Sequence, residues 1–221
     1  MQSLLKVIFV LTLMELFLGG GGRVFEIGPA TFRMLFFLLN FVIAGALYLE
    51  RGSVPKYVIM LMMAVSGTLL FYTALGWFNG APWALIAEDV KPLSYFYSIF
   101  FFSYYINSLQ RVQLVVSLIK KTSLLMALAY ILTQGLFFLG RIDFMSFYNY
   151  VNTQVSPSDF IFRGTQGLFF YKGFLYMVVG LIFWIHSTNS RRKGIAIFVI
   201  MAVMILTGTR GFLLIFGLLY A

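Results

Sequence analysis

Ile195-Ala196-Ile197-Phe198-Val199-Ile200-Met201-Ala202-Val203-Met204-Ile205-Leu206, followed at once by Thr207-Gly208-Thr209-Arg210-Gly211, is the stretch that decides how this chain is read. Twelve apolar residues rise roughly 18 Å as a helix, well short of the ~30 Å hydrocarbon core of a bilayer. The turn after them is therefore expected to lie below the outer membrane surface, where irregular backbone is tolerated only beside protein or a water-filled cavity. A guanidinium at such depth costs roughly 2.5 kcal/mol or more and calls for a partner, a wet cavity or an anionic ligand. Gly208 and Gly211 let the backbone turn and expose N–H groups, which together with Arg210 could cradle a phosphate. Two alternatives stay open: an interfacial loop whose Arg210 snorkels to lipid headgroups, and a tilted helix continuing through Gly211. In the second case, too, Arg210 stays in the outer half.

Working outward, the composition supports a membrane setting throughout. Of 221 residues 61% are hydrophobic, 10% are charged and 26 are Phe, with a mean hydropathy of +0.94; an ordinary soluble domain carries about 25% charge. With no cysteine, disulfides, thiolate nucleophiles and Cys-ligated metals are excluded. The expected fold class is all-α: a polytopic transmembrane helical bundle forming one domain over 1–221. About six full spans are read at 4–18, 31–49, 57–75, 93–106, 122–140 and 167–185, then a short or broken seventh at 195–206. The ten residues 212–221 are too few to cross, so the sequence is expected to be the N-terminal part of a longer protein. The first span is read as uncleaved, since no A-x-A-like site precedes Gly19-Gly20-Gly21-Gly22 and similar spans follow. Segment 109–121, with Arg111, Lys120 and Lys121, is read as an amphipathic interfacial helix on the cytosolic side. The longest connector is 141–166, expected on the periplasmic face.

The net charge of +9 follows from topology. With the N-terminus inside, nine cations (Lys6, Arg51, Lys56, Arg111, Lys120, Lys121, Arg191, Arg192, Lys193) face the cytosol against Glu50 alone. Outside, Arg23, Arg33, Lys91, Arg141 and Arg163 are balanced by Glu26, Glu88, Asp89, Asp143 and Asp159. The basicity thus gives no support for a nucleic-acid partner.

The same topology gathers other membrane charges near the outer leaflet. Glu15 lies near the outer end of span one, and Lys172 is expected five residues into span six, about 7 to 8 Å deep. Arg163-Gly164-Thr165-Gln166-Gly167 stands at that span's entrance. Three cations and a carboxylate, from elements far apart in sequence, suit an anionic headgroup such as a diphosphate, with Arg giving bidentate contacts and Lys a point charge. For Glu15 an ion pair with Lys172 or Arg210 is the competing reading. Glu88, Asp89, Asp143 and Asp159 lack metal-ligand spacing and read as solvated loop charges; no metal is expected. His186 falls beside the cytosolic arginines, so no Ser/His/Asp set can be assembled. Trp77, Trp83, Tyr148 and Tyr150 could stack on sugars or anchor at the interface.

Thr207-Gly208-Thr209-Arg210-Gly211 resembles the "TGSRG" element of the bacterial O-antigen polymerase and O-antigen ligase superfamily. Gly28-Pro29-Ala30-Thr31-Phe32-Arg33-Met34-Leu35 resembles that superfamily's approach to its second span, and the Arg163-x3-Gly167 spacing is similar to its periplasmic arginine motifs. The resemblance implies an inner-membrane glycosyltransferase that polymerises or ligates undecaprenyl-diphosphate-linked glycans on the periplasmic face, without metal or other cofactor. It implies Arg210 and Arg163 as diphosphate ligands, Lys172 as a helper by position, and Gly208, Gly211, Gly167, Glu15 and Arg33 as supporting residues. The implied partners are the lipid-linked glycan, the bilayer, and a chain-length regulator or flippase of the same pathway. The family has further spans and a large periplasmic loop beyond the point reached here; in ligases an important histidine lies there, so the general base is unassigned. A transporter or lipid-linked glycan flippase with a broken helix, or an inactive fragment, are the competing classes, although no internal repeat relates the two halves.

Overall fold

The computed structural model describes residues 2–18, 26–27, 30–155, 160–162, 169–171, 175–187, 192–207, 214 and 217. The first helix, α1 (Gln2–Leu18), stops where the glycine tract begins, as expected of residues with poor helix propensity. A two-residue antiparallel pairing, β1 (Glu26–Ile27) with β2 (Ala30–Thr31), leads directly into α2 (Phe32–Arg51). After a short turn, α3 runs over Lys56–Phe78. It ends in a paired carbonyl cap: Gly80 adopts φ +74°, its N–H bonds the Trp77 carbonyl, and the Ala81 N–H bonds that of Gly76.

Beyond that turn come α4 (Trp83–Ser94), a 3-10 turn (Tyr95–Ser98) and α5 (Ile99–Tyr105) without a break. The helix α6 (Leu109–Phe138) is closed by a cap of the same kind, with Gly140 at φ +62° and the Arg141 N–H on the Leu136 carbonyl. Then follow α7 (Phe144–Tyr150), a π-helical turn (Val151–Val155), the antiparallel pair β3 (Phe160–Phe162) and β4 (Phe169–Tyr171), α8 (Leu175–Ile185) and α9 (Lys193–Leu206).

The chain is thus predominantly helical, with two short β pairings among the described residues. Among the described residues, three helices are long and apolar enough to cross a membrane: Arg33–Arg51, Lys56–Phe78 and Leu109–Phe138. Four sequence expectations are corrected. The fourth apolar run does not begin at Leu93. Glu88, Asp89 and Lys91, expected in a loop, lie exposed on α4, and the helical path tightens to 3-10 geometry just past Pro92, which lacks the N–H that a regular turn needs. Segment 109–121 is no separate element but the first part of α6, since nothing at Thr122 interrupts the helix. Connector 141–166 contains α7 and β3. The sixth run, expected helical from Gly167, has Phe169–Tyr171 in a strand, and its helix begins only at Leu175; three consecutive aromatic residues suit a strand better than a helix.

The structure divides into two compact units. The first comprises Met1–Phe9 and Met34–Arg111. Here Phe9 is fully buried and stacks on Tyr105 at 4.3 Å, with Phe102 edge-on at 5.6 Å. Tyr48 stacks on Phe100 at 4.7 Å, and its hydroxyl shares a hydrogen bond with Ser103 at 2.9 Å, tying α2 to α5. Arg111 donates to the Tyr105 carbonyl at 2.6 Å and lies 4.5 Å over that ring, adding a side-chain donor at the end of α5 to the Asn107 N–H that the same carbonyl accepts at 3.0 Å.

The second unit comprises Val10–Arg33 and Val112–Ala221. Its core joins Met126, Ala127 and Tyr130 of α6 to Met177, Leu181 and Trp184 of α8 and to Ile200, Val203 and Met204 of α9. Helices α6 and α8 approach so closely at Gly180 that a Cβ there would overlap the Ser123 hydroxymethyl group, the small-residue contact by which helices pack in lipid. Gly180→Ala should lower stability by about 1–3 kcal/mol, and Ser123→Gly in the same chain should recover most of it, less about 1 kcal/mol for the new helical glycine. Thermal unfolding of the two variants and their double decides this; a tolerated Gly180→Ala would refute the close approach.

Candidate functional site

Helix α9 carries one face inward. Ala196, Ile200, Val203, Met204 and Thr207 recur at helical spacing and are all buried. Thr207, fully buried, keeps φ −67° and ψ −12°; its N–H bonds the Val203 carbonyl at 2.9 Å and its hydroxyl donates to the Met204 carbonyl at 2.8 Å. The helix is therefore regular to its end at Leu206, with Thr207 as its cap. Fourteen residues give it a length of about 21 Å. Arg210, Gly208 and Gly211 lie outside the described residues.

Arg163, Gly167 and Lys172 also lie outside the described residues, but the elements around them are defined. Phe162 ends β3 and pairs with Phe169, the first residue of β4, so Arg163 to Gly167 belong to the segment that joins two antiparallel strands. Lys172 comes directly after β4 and before α8. The expectation that it stands five residues inside a helical span therefore lies outside the described residues. The approach to β3 is organised by α7, whose first turn is capped: the Ser146 N–H donates to the Asp143 carboxylate at 2.7 Å and holds that carboxyl below its usual range.

Glu15 and Arg33 are brought together. Arg33 Nε donates to Glu15 Oε2 at 3.1 Å, with the two side chains 17% and 14% exposed. The pair fastens the last turn of α1 to the first turn of α2 across the glycine tract. Neither of the two partners weighed from sequence, Lys172 and Arg210, is needed to explain Glu15. Each charge stands at the wrong end of its helix: a carboxylate near the negative C-terminus of α1, a guanidinium near the positive N-terminus of α2. Pairing offsets both penalties.

One polar group escaped sequence reasoning. Lys120 donates through Nζ to Ser187 Oγ at 3.0 Å and sits 4.3 Å over the Trp184 ring, while Trp184 Nε1 donates to the Lys120 carbonyl at 3.1 Å. Sixty-four and 67 residues separate these partners, so no local pattern signals the contact. Among the described residues no three His, Asp or Glu side chains group as a metal site. Comparison with family models, with curated proteins and with solved structures gives no match to this chain. What the described residues define is a predominantly helical protein with three helices apolar enough to cross a membrane and a short apolar helix, α9, before the glycine- and arginine-bearing stretch of the sequence.

Removing either member of the Glu15–Arg33 pair (Glu15→Gln or Arg33→Gln) should cost about 1–3 kcal/mol, less than the 3–5 of a fully buried pair. The exchanged chain, E15R with R33E, should be at least as stable as the original, because each charge then stands at the helix end that favours it. Denaturation midpoints in one detergent test this, and an exchanged chain as weak as the single variants would contradict it.

Proposed function

We propose that this chain is part of an integral inner-membrane glycosyltransferase that transfers glycan units from undecaprenyl diphosphate on the periplasmic face, either polymerising them or ligating them to a lipid-linked acceptor. In this reading the N-terminus is cytosolic and the chain crosses about six times before α9, with α4 and α5 forming one crossing. The observation that carries it is α9: a 14-residue helix, too short for the ~30 Å core, ending at a buried Thr207 directly before Gly208-Thr209-Arg210-Gly211. A cation at that depth, next to backbone able to turn its N–H groups outward, fits a diphosphate better than it fits acyl chains.

Arg210 and Arg163 are assigned to the diphosphate, with Lys172 assisting. Glycosyl transfer breaks the anomeric carbon–oxygen bond, and the electron pair leaves on the lipid diphosphate. Cations that hold this growing charge favour the transition state over the bound substrate and so raise the turnover rate. Glu15 and Arg33 act at one remove, by fixing the start of α2. Placing the reaction among apolar helices strengthens each contact by excluding water.

Arg210→Lys should abolish polymer or ligation product while leaving membrane insertion intact, because an ammonium replaces a planar bidentate fork. Glycan ladders resolved on a gel report it; an unchanged ladder rejects the assignment. Uptake of a labelled solute without any glycan product from a lipid-diphosphate donor would favour a transporter instead.

A further inference from the structure

Helix α3 is the apolar helix that the fold leaves most bare. Of its apolar stretch 6% is buried, against 22% in α2 and 33% in α6, and Val58 and Leu69 are its buried residues. Ile59, Met60, Met63, Leu70 and Phe71 stand exposed along it. A contiguous apolar surface of this kind marks contact with a partner of the same character. The ends of the helix give that partner a thickness. Tyr57 and Trp77 are both exposed, and the 20 residues between them rise about 30 Å, the depth of a bilayer's hydrocarbon core. Amphipathic rings at that separation mark two membrane boundaries.

The turn after α3 widens the second boundary. Trp83 stacks on Trp77 at 6.4 Å with 29° between the planes, and both indoles are exposed. A Cβ at Gly76 would meet the Ile86 side chain at 3.2 Å, so α4 starts at the level where α3 ends. No charged residue occurs between Lys56 and Glu88. Two hydroxyls on α3 are engaged within the protein: Thr68 donates to the Ala64 carbonyl of its own helix at 2.9 Å, and Ser66 shares a hydrogen bond with Tyr97. That is what a surface facing hydrocarbon requires. Tyr72 packs its ring edge-on to Phe71 about 7 to 8 Å along the axis from Trp77, which leaves its hydroxyl within reach of the boundary. A second copy of the chain fits this face less well, because helices that pack in lipid meet through small residues, and here large side chains outnumber Ala64 and Gly67.

We propose that the exposed face of α3 is a lipid-contacting wall of this protein, with acyl chains covering residues 59 to 75, one headgroup level at Tyr57 with Lys56 just beyond it, and the other at Trp77 and Trp83. The inference rests on the membrane reading of the chain and is independent of the glycan assignment. It fixes which side of the first unit is closed to substrate and to partner subunits, since lipid already occupies it.

The test places the whole chain in phosphatidylcholine vesicles whose acyl chains carry bromine either near the carbonyl or near the methyl end, and reads the loss of tryptophan emission. Trp77 and Trp83 are read as the difference between the original chain and Trp77→Phe with Trp83→Phe, both exposed positions. Bromine near the carbonyl should quench that difference more than bromine near the methyl end. Leu70→Trp, added to the double variant about 10 Å further in, should reverse the order. A Leu70→Trp signal that neither lipid quenches overturns the proposal, because a second copy or another protein then covers the face. The same order at both depths overturns it too. Flotation of the vesicles separates the failures: a chain that does not float with them defeats the membrane reading itself, whereas a floating chain whose indoles escape bromine defeats this proposal alone. Should Leu70→Trp not fold, the original chain decides, and emission that bromine near the carbonyl leaves unchanged overturns the proposal.

Discussion

The level fixed by Lys120, Trp184 and Ser187 is the constraint from which the second unit can be measured. From Lys120, α6 continues 18 residues to Phe138, about 27 Å, whereas the whole of α9 measures about 21 Å. The first distance nearly matches a hydrocarbon core, and the second does not. A contact made of an ammonium, an indole face and two hydrogen bonds holds the end of α8 against α6, and α9, packed on α8 in the same core, is the shorter helix. That length is what makes a guanidinium three residues past Thr207 a chemical question.

Packing holds the measure in place. Gly180 admits Ser123, and the Ser123 hydroxyl is satisfied by the Lys120 carbonyl of its own helix, as Thr122 is by Leu118 and Ile119. Thr122 and Ser123 therefore bury without leaving open donors, and α8 can approach closely. Phe17 on α1 meets Tyr176 on α8 edge to face at 5.2 Å, so the helix that carries Glu15 belongs to the same packed unit.

Much of this was legible in the sequence because apolar runs bounded by glycine or charge have few other readings. The termination of α1 at the glycine tract, the extents of α2 and α3, and the end of α9 before Gly208 are examples. What was hidden depended on contacts across the chain or on ambiguous patterns. Glu88, Asp89 and Lys91 looked like a loop because charge density says nothing of backbone when a helix face is exposed. Phe169-Phe170-Tyr171 looked helical because a continuous apolar run has no period to read. The partner of Glu15 was missed because 18 residues and a glycine tract separate it from Arg33. Of the site residues named from sequence, Glu15 and Arg33 are the ones described, and their role is to join two helices.

The absence of cysteine gives the direct test of the central claim, that the turn after α9 opens within the outward half of the membrane. Single cysteines at Thr209 and at Lys193 can be exposed in intact cells to a membrane-impermeant thiol reagent. The account predicts slow labelling of Thr209→Cys from outside, slowed further by added undecaprenyl diphosphate, and labelling of Lys193→Cys only after the membrane is opened. Labelling of both from the same side, or of Thr209→Cys only from the cytosolic side, would contradict it.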